Sequence, residues 1–520
     1  MATSQEKLDR TFDTEKDAGS LYETPKWSQN GSRLHNRLAQ KLLSWGVEER
    51  GASVSVSDDR LRVSYPCEVG ILPVQPEERT DTHYSKIFFI WLSFNFNILS
   101  FSAGTLGPVV YGLSLRDSCL VILFFNLLCS ALPAYLTTWG PKLGLRQMCQ
   151  ARYSFGYFGV IIASVINLAV MCGYCILNCI LGGQTLSSIT NGNLSWTVGI
   201  VIIAVISLLV SFCGMKVLTW YERLAWIPVL VVYVVALGLG GKHLGNPPPA
   251  EPATASSILT FASTVAGFVI TYAPLASDYT IYYIPDAPSW KLFIYSFLGF
   301  NASIVPIQCL GAAAAIVATN VPSWNAGYAD GNVGGLLEAM LSPSGNFGKF
   351  LTVLLALSVT GNIAPTLYSF CLCFQVFIPP MVAVPRYMFS LLATAIIIPL
   401  SIVGQHKFYD ALSNFLGLIG YWASAFGAVI LMEHLVIRRG NFSSYDLRYW
   451  NNYHKLPTGL AAIGACILAV SLIVPSMNQV WFVGPFAKTS GDIGFEVAFA
   501  ATALFYPPLR YLELRFRPLV

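Results

Sequence analysis

Polar residues dominate the first 85 positions, and then the pattern inverts. From Ile87 to Leu115 no Asp, Glu, Lys or Arg occurs. An apolar run of about 18 residues or more is long enough to cross a bilayer as a helix. Such runs recur near 87–115, 118–138, 155–180, 196–215, 224–241, 257–283, 292–318, 346–377, 386–403, 407–434, 458–475 and 491–509. The pattern therefore predicts an all-α polytopic membrane protein with twelve transmembrane helices. Before them, Leu38 to Val47 has apolar spacing that suits one amphipathic helix. Pro73, Pro76 and Glu77-Glu78-Arg79 then lead into the first span.

Composition agrees with the pattern. Hydrophobic residues make up 54% of the 520 positions and charged residues only 11%, against about 25% charged in an ordinary soluble domain. The net charge is +4, and its placement sets the orientation, because cytoplasmic loops collect Lys and Arg. With the N-terminus inside, the basic clusters Lys142/Arg146/Arg152, Lys216/Arg223, Arg438/Arg439/Arg448/Lys455 and Arg510/Arg515/Arg517 all fall on the cytoplasmic side. Lys242 and Lys407 run against the rule and are outnumbered. The opposite side carries Asn193-Leu-Ser195, a glycosylation acceptor pattern. The expected organisation is a cytosolic tail over 1–85, a core of helices 1–10 over 86–434, helices 11–12 over 435–509 and a short cytosolic tail over 510–520. Nothing in the tail has the length of a signal or spanning segment.

Two spans carry residues that a plain anchoring helix does not need. The sixth contains Gly267-Phe-Val-Ile-Thr-Tyr-Ala-Pro-Leu-Ala-Ser-Asp-Tyr279, with Gly267, Pro274 and Asp278 in one stretch. The first contains Phe101-Ser-Ala-Gly-Thr-Leu-Gly-Pro108, with Gly104, Gly107 and Pro108. Proline removes an N–H and clashes with the preceding turn. Unwound backbone at membrane depth is tolerated only against protein or a cavity. Breaks in spans 1 and 6, five spans apart, are the arrangement of transporters built as two inverted five-helix repeats, with the substrate between the broken helices.

Polar residues then mark the walls of such a site. Tyr174 and Asn178 are four apart and share a helix face in span 3. A ring and an amide so placed can stack on a flat ligand and bond its edge; the same pair serves equally as glue between helices. Tyr272 stands beside the break of span 6, and Asn362 lies deep in span 8 within Thr360-Gly-Asn-Ile-Ala-Pro365. Span 1 contributes Asn95, Asn97, Ser102 and Thr105. Rings and neutral donor-acceptors, without a basic group at mid-membrane, suit a small, neutral, planar solute and not a phosphate. The 12 Cys lie mostly in apolar runs without metal-ligand spacing, and no cofactor, metal or nucleic-acid partner is expected. Six His, none placed within a span, argue against a membrane enzyme. A channel has no use for two broken helices around a pocket, and a receptor would bind without accumulating solute.

Several stretches together are specific: Asn97-Ile-Leu-Ser-Phe-Ser-Ala-Gly-Thr-Leu-Gly-Pro108, Arg152-Tyr-Ser-Phe-Gly-Tyr-Phe-Gly159, Gly182-Gly-Gln-Thr185, Ala276-Ser-Asp-Tyr279 and Pro365-Thr-Leu-Tyr-Ser369. From about Pro76 onward the chain resembles the nucleobase–cation symporter 1 family, in its fungal purine–cytosine permease branch. The resemblance implies the twelve-helix, LeuT-like fold of five plus five inverted helices, and proton symport of purines or cytosine across the plasma membrane, both termini cytoplasmic. It implies a stacking ring at Tyr174, an amide contact at Asn178, a second ring at Tyr272 and edge recognition by Asn362. The family usually has Trp at both ring positions, so Tyr174 and Tyr272 are a departure that bears on the substrate. A related branch resembles vitamin B6 carriers, and pyridoxine or another small planar neutral metabolite is the alternative cargo.

The coupling ion has two sets of candidates. Bacterial relatives hold sodium with carbonyls of the first break and span-8 hydroxyls, and here span 8 offers Ser358 and Thr360. A proton, the expectation for a fungal plasma-membrane carrier, would need an ionisable group, for which Asp278 and Glu222 are the candidates. The plain reading of each is a helix-end residue paired with a loop arginine. Oligomeric state is not fixed by the sequence.

Overall fold

Twelve apolar segments leave little room for anything but helices, and helices are what the computed structural model contains. It describes residues 70–518 apart from 191–192, 213, 246, 250 and 378–385. Most of the N-terminal tail, with the Leu38–Val47 stretch, lies outside the described residues. The main helices are α1 (Lys86–Asn95), α2 (Ile98–Val109), α3 (Leu115–Thr137), α4 (Gln147–Ile189), α5 (Trp196–Ser211), α6 (Gly214–Leu244), α7 (Ala255–Ile270) and α8 (Ser289–Ala318). After them come α9 (Val333–Leu341), α10 (Asn346–Ser358), α11 (Thr360–Phe377), α12 (Arg386–Gly404), α13 (Phe408–Met432), α14 (Leu460–Ser476) and α15 (Gly494–Leu514). The one sheet among the described residues is a two-stranded hairpin, β1 (Asn478–Gln479) and β2 (Phe482–Val483).

Each predicted span coincides with a helix or a pair of helices. Eight segments among the described residues are long and apolar enough to cross a membrane, and nine when α1 and α2, bent by 56°, count together. α5 and α14 are shorter apolar helices, and α15 carries the buried charges Arg510 and Glu513 near its end.

The bend between α1 and α2 falls at Phe96 and Asn97, not at the Gly/Pro stretch of residues 101–108. That stretch is helical throughout, and the expectation of a break at Gly104, Gly107 and Pro108 is corrected. The glycines serve close packing instead. A Cβ on Gly104 would strike the carbonyl of Gln308 on α8, and one on Gly311 would strike the carbonyl of Phe101 on α2. Small residues facing each other in this way let two backbones approach, which is how helices associate in lipid. Pro108 stands one residue before the end of α2, where it removes little. Gly267 plays the same packing part: its Cβ would meet the Leu416 carbonyl of α13. Helix α4 hides a second kink, at Gly156, whose φ of 72° is a left-handed conformation that glycine adopts without penalty.

The C-terminal end of α13 is tied to α15 by buried charge. Glu433, in a single π-helical turn over Glu433–Ile437, takes Arg438 Nε at 3.0 Å and Arg510 Nε at 3.0 Å. The Tyr506 hydroxyl donates to it at 2.8 Å, and Arg510 also reaches Glu513 at 3.0 Å. Glu513 in turn accepts the backbone N–H of Thr458 at 2.7 Å and of Gly459 at 3.1 Å, before α14.

Candidate functional site

The break between α1 and α2 frees backbone groups that have no water to bond, so side chains must serve them. Asn97 does most of this. Its Oδ1 accepts from the N–H of Leu99 at 2.9 Å and of Ser100 at 3.1 Å, capping α2, while its Nδ2 donates to the Phe94 carbonyl at 2.6 Å. The Ser100 hydroxyl donates to the Asn95 carbonyl. Tyr233 of α6 donates to the Asn97 carbonyl at 3.0 Å. Ser358 of α10 accepts from the Ile98 N–H at 3.3 Å.

In span 6, α7 ends at Ile270 and a buried 3-10 helix runs over Ala273–Tyr279 with Pro274 in its first turn. Proline has no N–H to leave unpaired there. The open carbonyls at the end of α7 are again met by side chains. Thr271 Oγ1 donates to the Gly267 carbonyl at 3.0 Å, and the Tyr174 hydroxyl donates to Phe268 at 3.1 Å.

These two breaks meet at a chain of neutral polar groups. Asn178 Nδ2 donates to the Tyr174 carbonyl at 2.9 Å and to Asn362 Oδ1 at 2.9 Å. Asn362 Nδ2 donates to the Phe94 carbonyl at 3.0 Å and to the Tyr272 hydroxyl at 3.3 Å. Tyr272 donates to Asn95 Oδ1 at 2.8 Å. Spans 1, 3, 6 and 8 thus converge through Tyr174, Asn178, Tyr272, Asn362 and Asn95, none of them charged. Within this chain Asn178 Oδ1 is buried and has no partner among the described residues; the same holds for Trp91 Nε1, on the ring beside Tyr272, and for Ser102 Oγ on α2. An unpaired buried acceptor is costly, and a ligand N–H would serve it.

Aromatic rings wall the cluster. Trp91 stacks on Phe300 with centroids 4.4 Å apart and meets Tyr272 edge-on at 5.5 Å. Phe415 of α13 meets Tyr174 edge-on at 5.3 Å. Trp91, Phe300 and Phe415 were not legible as site residues, since an aromatic in an apolar run is by default packing; Trp91 lies one helical turn before Asn95, which is the only signal available.

The remaining candidates stand apart from the cluster. Thr105 Oγ1 donates to the Ser102 carbonyl at 2.8 Å and bonds the Tyr409 hydroxyl at 2.9 Å, towards the start of α13. Thr360 pairs with Ser207 of α5 at 3.1 Å. Only Ser358 of the two span-8 hydroxyls therefore faces the first break. Asp278 is 5% exposed and its Oδ1 accepts the Gln147 N–H at 2.8 Å, capping the first turn of α4. Arg146 donates to its carbonyl at 2.8 Å and to the Tyr368 hydroxyl at 3.0 Å. A narrow void beside this contact is lined by Arg146, Asn167, Met171, Pro274, Asp278 and Cys373. The side chain of Glu222 lies outside the described residues. No group of His, Cys, Asp and Glu fit to hold a metal occurs among the described residues.

Comparison with known proteins identifies the family. The family described as permeases for cytosine/purines, uracil, thiamine and allantoin matches residues 73–498. The purine-cytosine permease fcyB of Emericella nidulans is 36% identical over 454 residues, 86% of this chain and 89% of that protein. The vitamin B6 transporter TPN1 of Saccharomyces cerevisiae is 28% identical, with 90% of each chain covered. Among solved structures, the nucleobase-cation-symport-1 family transporter Mhp1, closed with bromovinylhydantoin bound, is similar with a TM-score of 0.65 at 16% identity, covering 87% of this chain and 96% of that one. That last likeness is one of fold. Two helix breaks joined by a neutral polar chain, inside a fold shared with a transporter and a sequence shared with permeases, lead to one conclusion: the chain belongs to the cytosine/purine permease family of multi-pass membrane transporters.

Proposed function

We propose that the protein imports purine bases and/or cytosine by proton symport across the plasma membrane, with both termini cytoplasmic. In this reading twelve helices span the bilayer, and residues 86–434 form two inverted five-helix repeats with broken helices 1 and 6. The observation that carries it is the neutral chain from Tyr174 through Asn178 and Asn362 to Tyr272 at the meeting point of the two breaks. A base offers a flat face to the rings and N–H and C=O groups to the amides. Asn178 Oδ1, buried and without a partner among the described residues, favours a cargo with an N–H donor. The name of the E. nidulans relative points the same way.

Carriage of vitamin B6 is the second reading. It is favoured by the phenol at Tyr272, whose hydroxyl sits between Asn95 and Asn362 and gives the site a polar group that an indole would not place there. The test is competition for uptake at about pH 5 and about pH 7.5, towards the two ends of the physiological range, in yeast lacking its own base and vitamin B6 permeases. The competitors are cytosine, adenine, hypoxanthine, uracil, allantoin and pyridoxine. Acid-stimulated uptake inhibited by adenine or cytosine supports the first reading. Inhibition by pyridoxine alone replaces it with the second, and uptake indifferent to pH refutes proton symport.

A further inference from the structure

On the outer side of the proposed topology, far along the chain from the site residues, a carboxylate is buried without a cation. Asp492, in the loop before α15, is 1% exposed. Its Oδ1 accepts from the Gly494 N–H at 2.8 Å and from Ser263 Oγ of α7 at 3.3 Å. Its Oδ2 accepts from the Asn478 N–H at 3.0 Å, from Gln479 Nε2 at 3.4 Å and from the Tyr421 hydroxyl of α13. Its own N–H donates to Thr260 of α7 at 3.1 Å. One residue thus binds α7, α13, α15 and the outer hairpin together.

The titratable groups facing it are Tyr421 from α13, Glu496 from α15 and Tyr111 from the turn after α2. The hairpin offers only the amides of Asn478 and Gln479, and α7 only the hydroxyls of Thr260 and Ser263. None of these is a cation, and no Lys, Arg or His pairs with Asp492 among the described residues. The cluster is also short of protons. Gln479 is 4% exposed, its Nε2 bonds Tyr421 at 2.8 Å, and its Oε1 has no partner; Glu496 Oε2 is likewise buried and unpartnered.

α13 is the helix that covers the site. Phe415 rests on the Tyr174 ring, the Leu416 carbonyl lies against Gly267, and Tyr409 at its start bonds Thr105 and Tyr328. We propose that Asp492 is an outer proton-binding site: it takes a proton from the external water as α13 packs down, and so makes external acidity favour closure over the cargo. This rests on the proton-symport reading and names where the outer proton is met. The extra proton has a place: carried on Asp492 Oδ2 it donates to Tyr421 Oη, whose own hydrogen is then accepted by Gln479 Oε1 once that amide turns over to exchange Nε2 for its unpartnered oxygen. Burial at 1% exposure, among neighbours none of which is a cation, penalises the charged carboxylate. A group that holds its proton more tightly in the packed state than in the hydrated one favours the packed state as pH falls.

The test uses the full chain in cells. A cysteine replaces Leu416, buried on α13, and its labelling by a membrane-impermeant thiol reagent is divided by that of a Trp481→Cys chain, in the exposed hairpin, to remove the reagent's own pH dependence. The unsubstituted chain gives the background. The ratio is expected to fall by at least about fivefold from about pH 7.5 to about pH 5, the lower end of ordinary coupling between sites. Asp492→Asn should make it independent of pH, and so should Tyr421→Phe, which keeps the carboxylate and removes its hold on α13. A ratio that keeps its pH response in both variants, or that does not respond in the parent, overturns the proposal. If Asp492→Asn does not reach the surface, Tyr421→Phe decides alone. Labelling needs no cargo, so a responsive ratio without base uptake supports the outer proton site while sinking the purine reading; acid-stimulated uptake with an indifferent ratio does the reverse.

Discussion

Replacing Asn362 by alanine separates the scaffolding role of the polar chain from its recognition role. The side chain makes three hydrogen bonds, from Asn178 Nδ2 at 2.9 Å, to the Phe94 carbonyl at 3.0 Å and to the Tyr272 hydroxyl at 3.3 Å. Each partner has a second bond that survives. Asn178 keeps the Tyr174 carbonyl at 2.9 Å, Phe94 keeps Asn97 at 2.6 Å, and Tyr272 keeps Asn95 at 2.8 Å. Only one amide hydrogen, on Asn178, is orphaned, at a cost of about 1–3 kcal/mol. That is too little to unfold a large helical bundle. On the proposed reading a bound cargo has no such redundancy, because the group removed is its edge contact. Losing a directional bond in a dry site costs about 1–3 kcal/mol, or roughly 5- to 150-fold in apparent affinity. The assay is initial uptake rate against cargo concentration, normalised to surface protein. Normal surface level with uptake lost or KM raised in that range is expected. Uptake within about twofold of the parent, at equal surface level, would show that Asn362 braces the first break and nothing more.

Tyr272→Phe should retain ring stacking while leaving Asn95 Oδ1 unpaired, so its thermal stability in detergent should drop by the equivalent of about 1–3 kcal/mol with a changed order of competitors; Tyr272→Ala should lose affinity for every cargo, and if it does not, the ring is packing. Gly104→Ala places a methyl against the Gln308 carbonyl and should cut the folded yield measured by size-exclusion chromatography, through overpacking of about 1–3 kcal/mol. Asp278→Ala removes the outside cap of α4 and should lower stability by about 0.5–2 kcal/mol, while Asp278→Asn, which still accepts the Gln147 N–H, should keep the pH profile of uptake; loss of that profile in Asp278→Asn would make Asp278 the coupling residue.

The helices were legible because a bilayer admits few alternatives: Ile87 to Leu115 without a charge can hardly be anything else. Tyr174, Asn178, Tyr272 and Asn362 stood out for the same reason, as polar groups where hydrocarbon penalises them, and the structure brings them together. The position of the first break did not follow. Glycine and proline in residues 101–108 signal a weak helix, yet in lipid small residues equally mark a close interface, and Gly104 against α8 is that case. The break falls where Asn95, Asn97 and Ser100 can cap freed backbone, a pattern of side-chain caps and not of poor helix formers. Asp492 was not singled out, because an acidic residue at the very start of the last predicted span, 491–509, reads as a helix-end group meeting water until the hairpin and α13 are folded over it.

The buried arginine–glutamate tie at the C-terminal end of α13 has a mechanical consequence. Severing such a contact exposes an uncompensated charge in a dry interior, at about 3–5 kcal/mol. With Glu433 gripped by Arg438 and Arg510, and Glu513 anchoring the entry to α14, this end of the helix is a fixed post. Any swing of α13 would then be taken up nearer its other end, around Phe415 and Leu416, which lie against Tyr174 and Gly267. The last two helices, which contribute nothing to the polar chain, thereby act as a buttress: they hold one end of the door still so that the other can move.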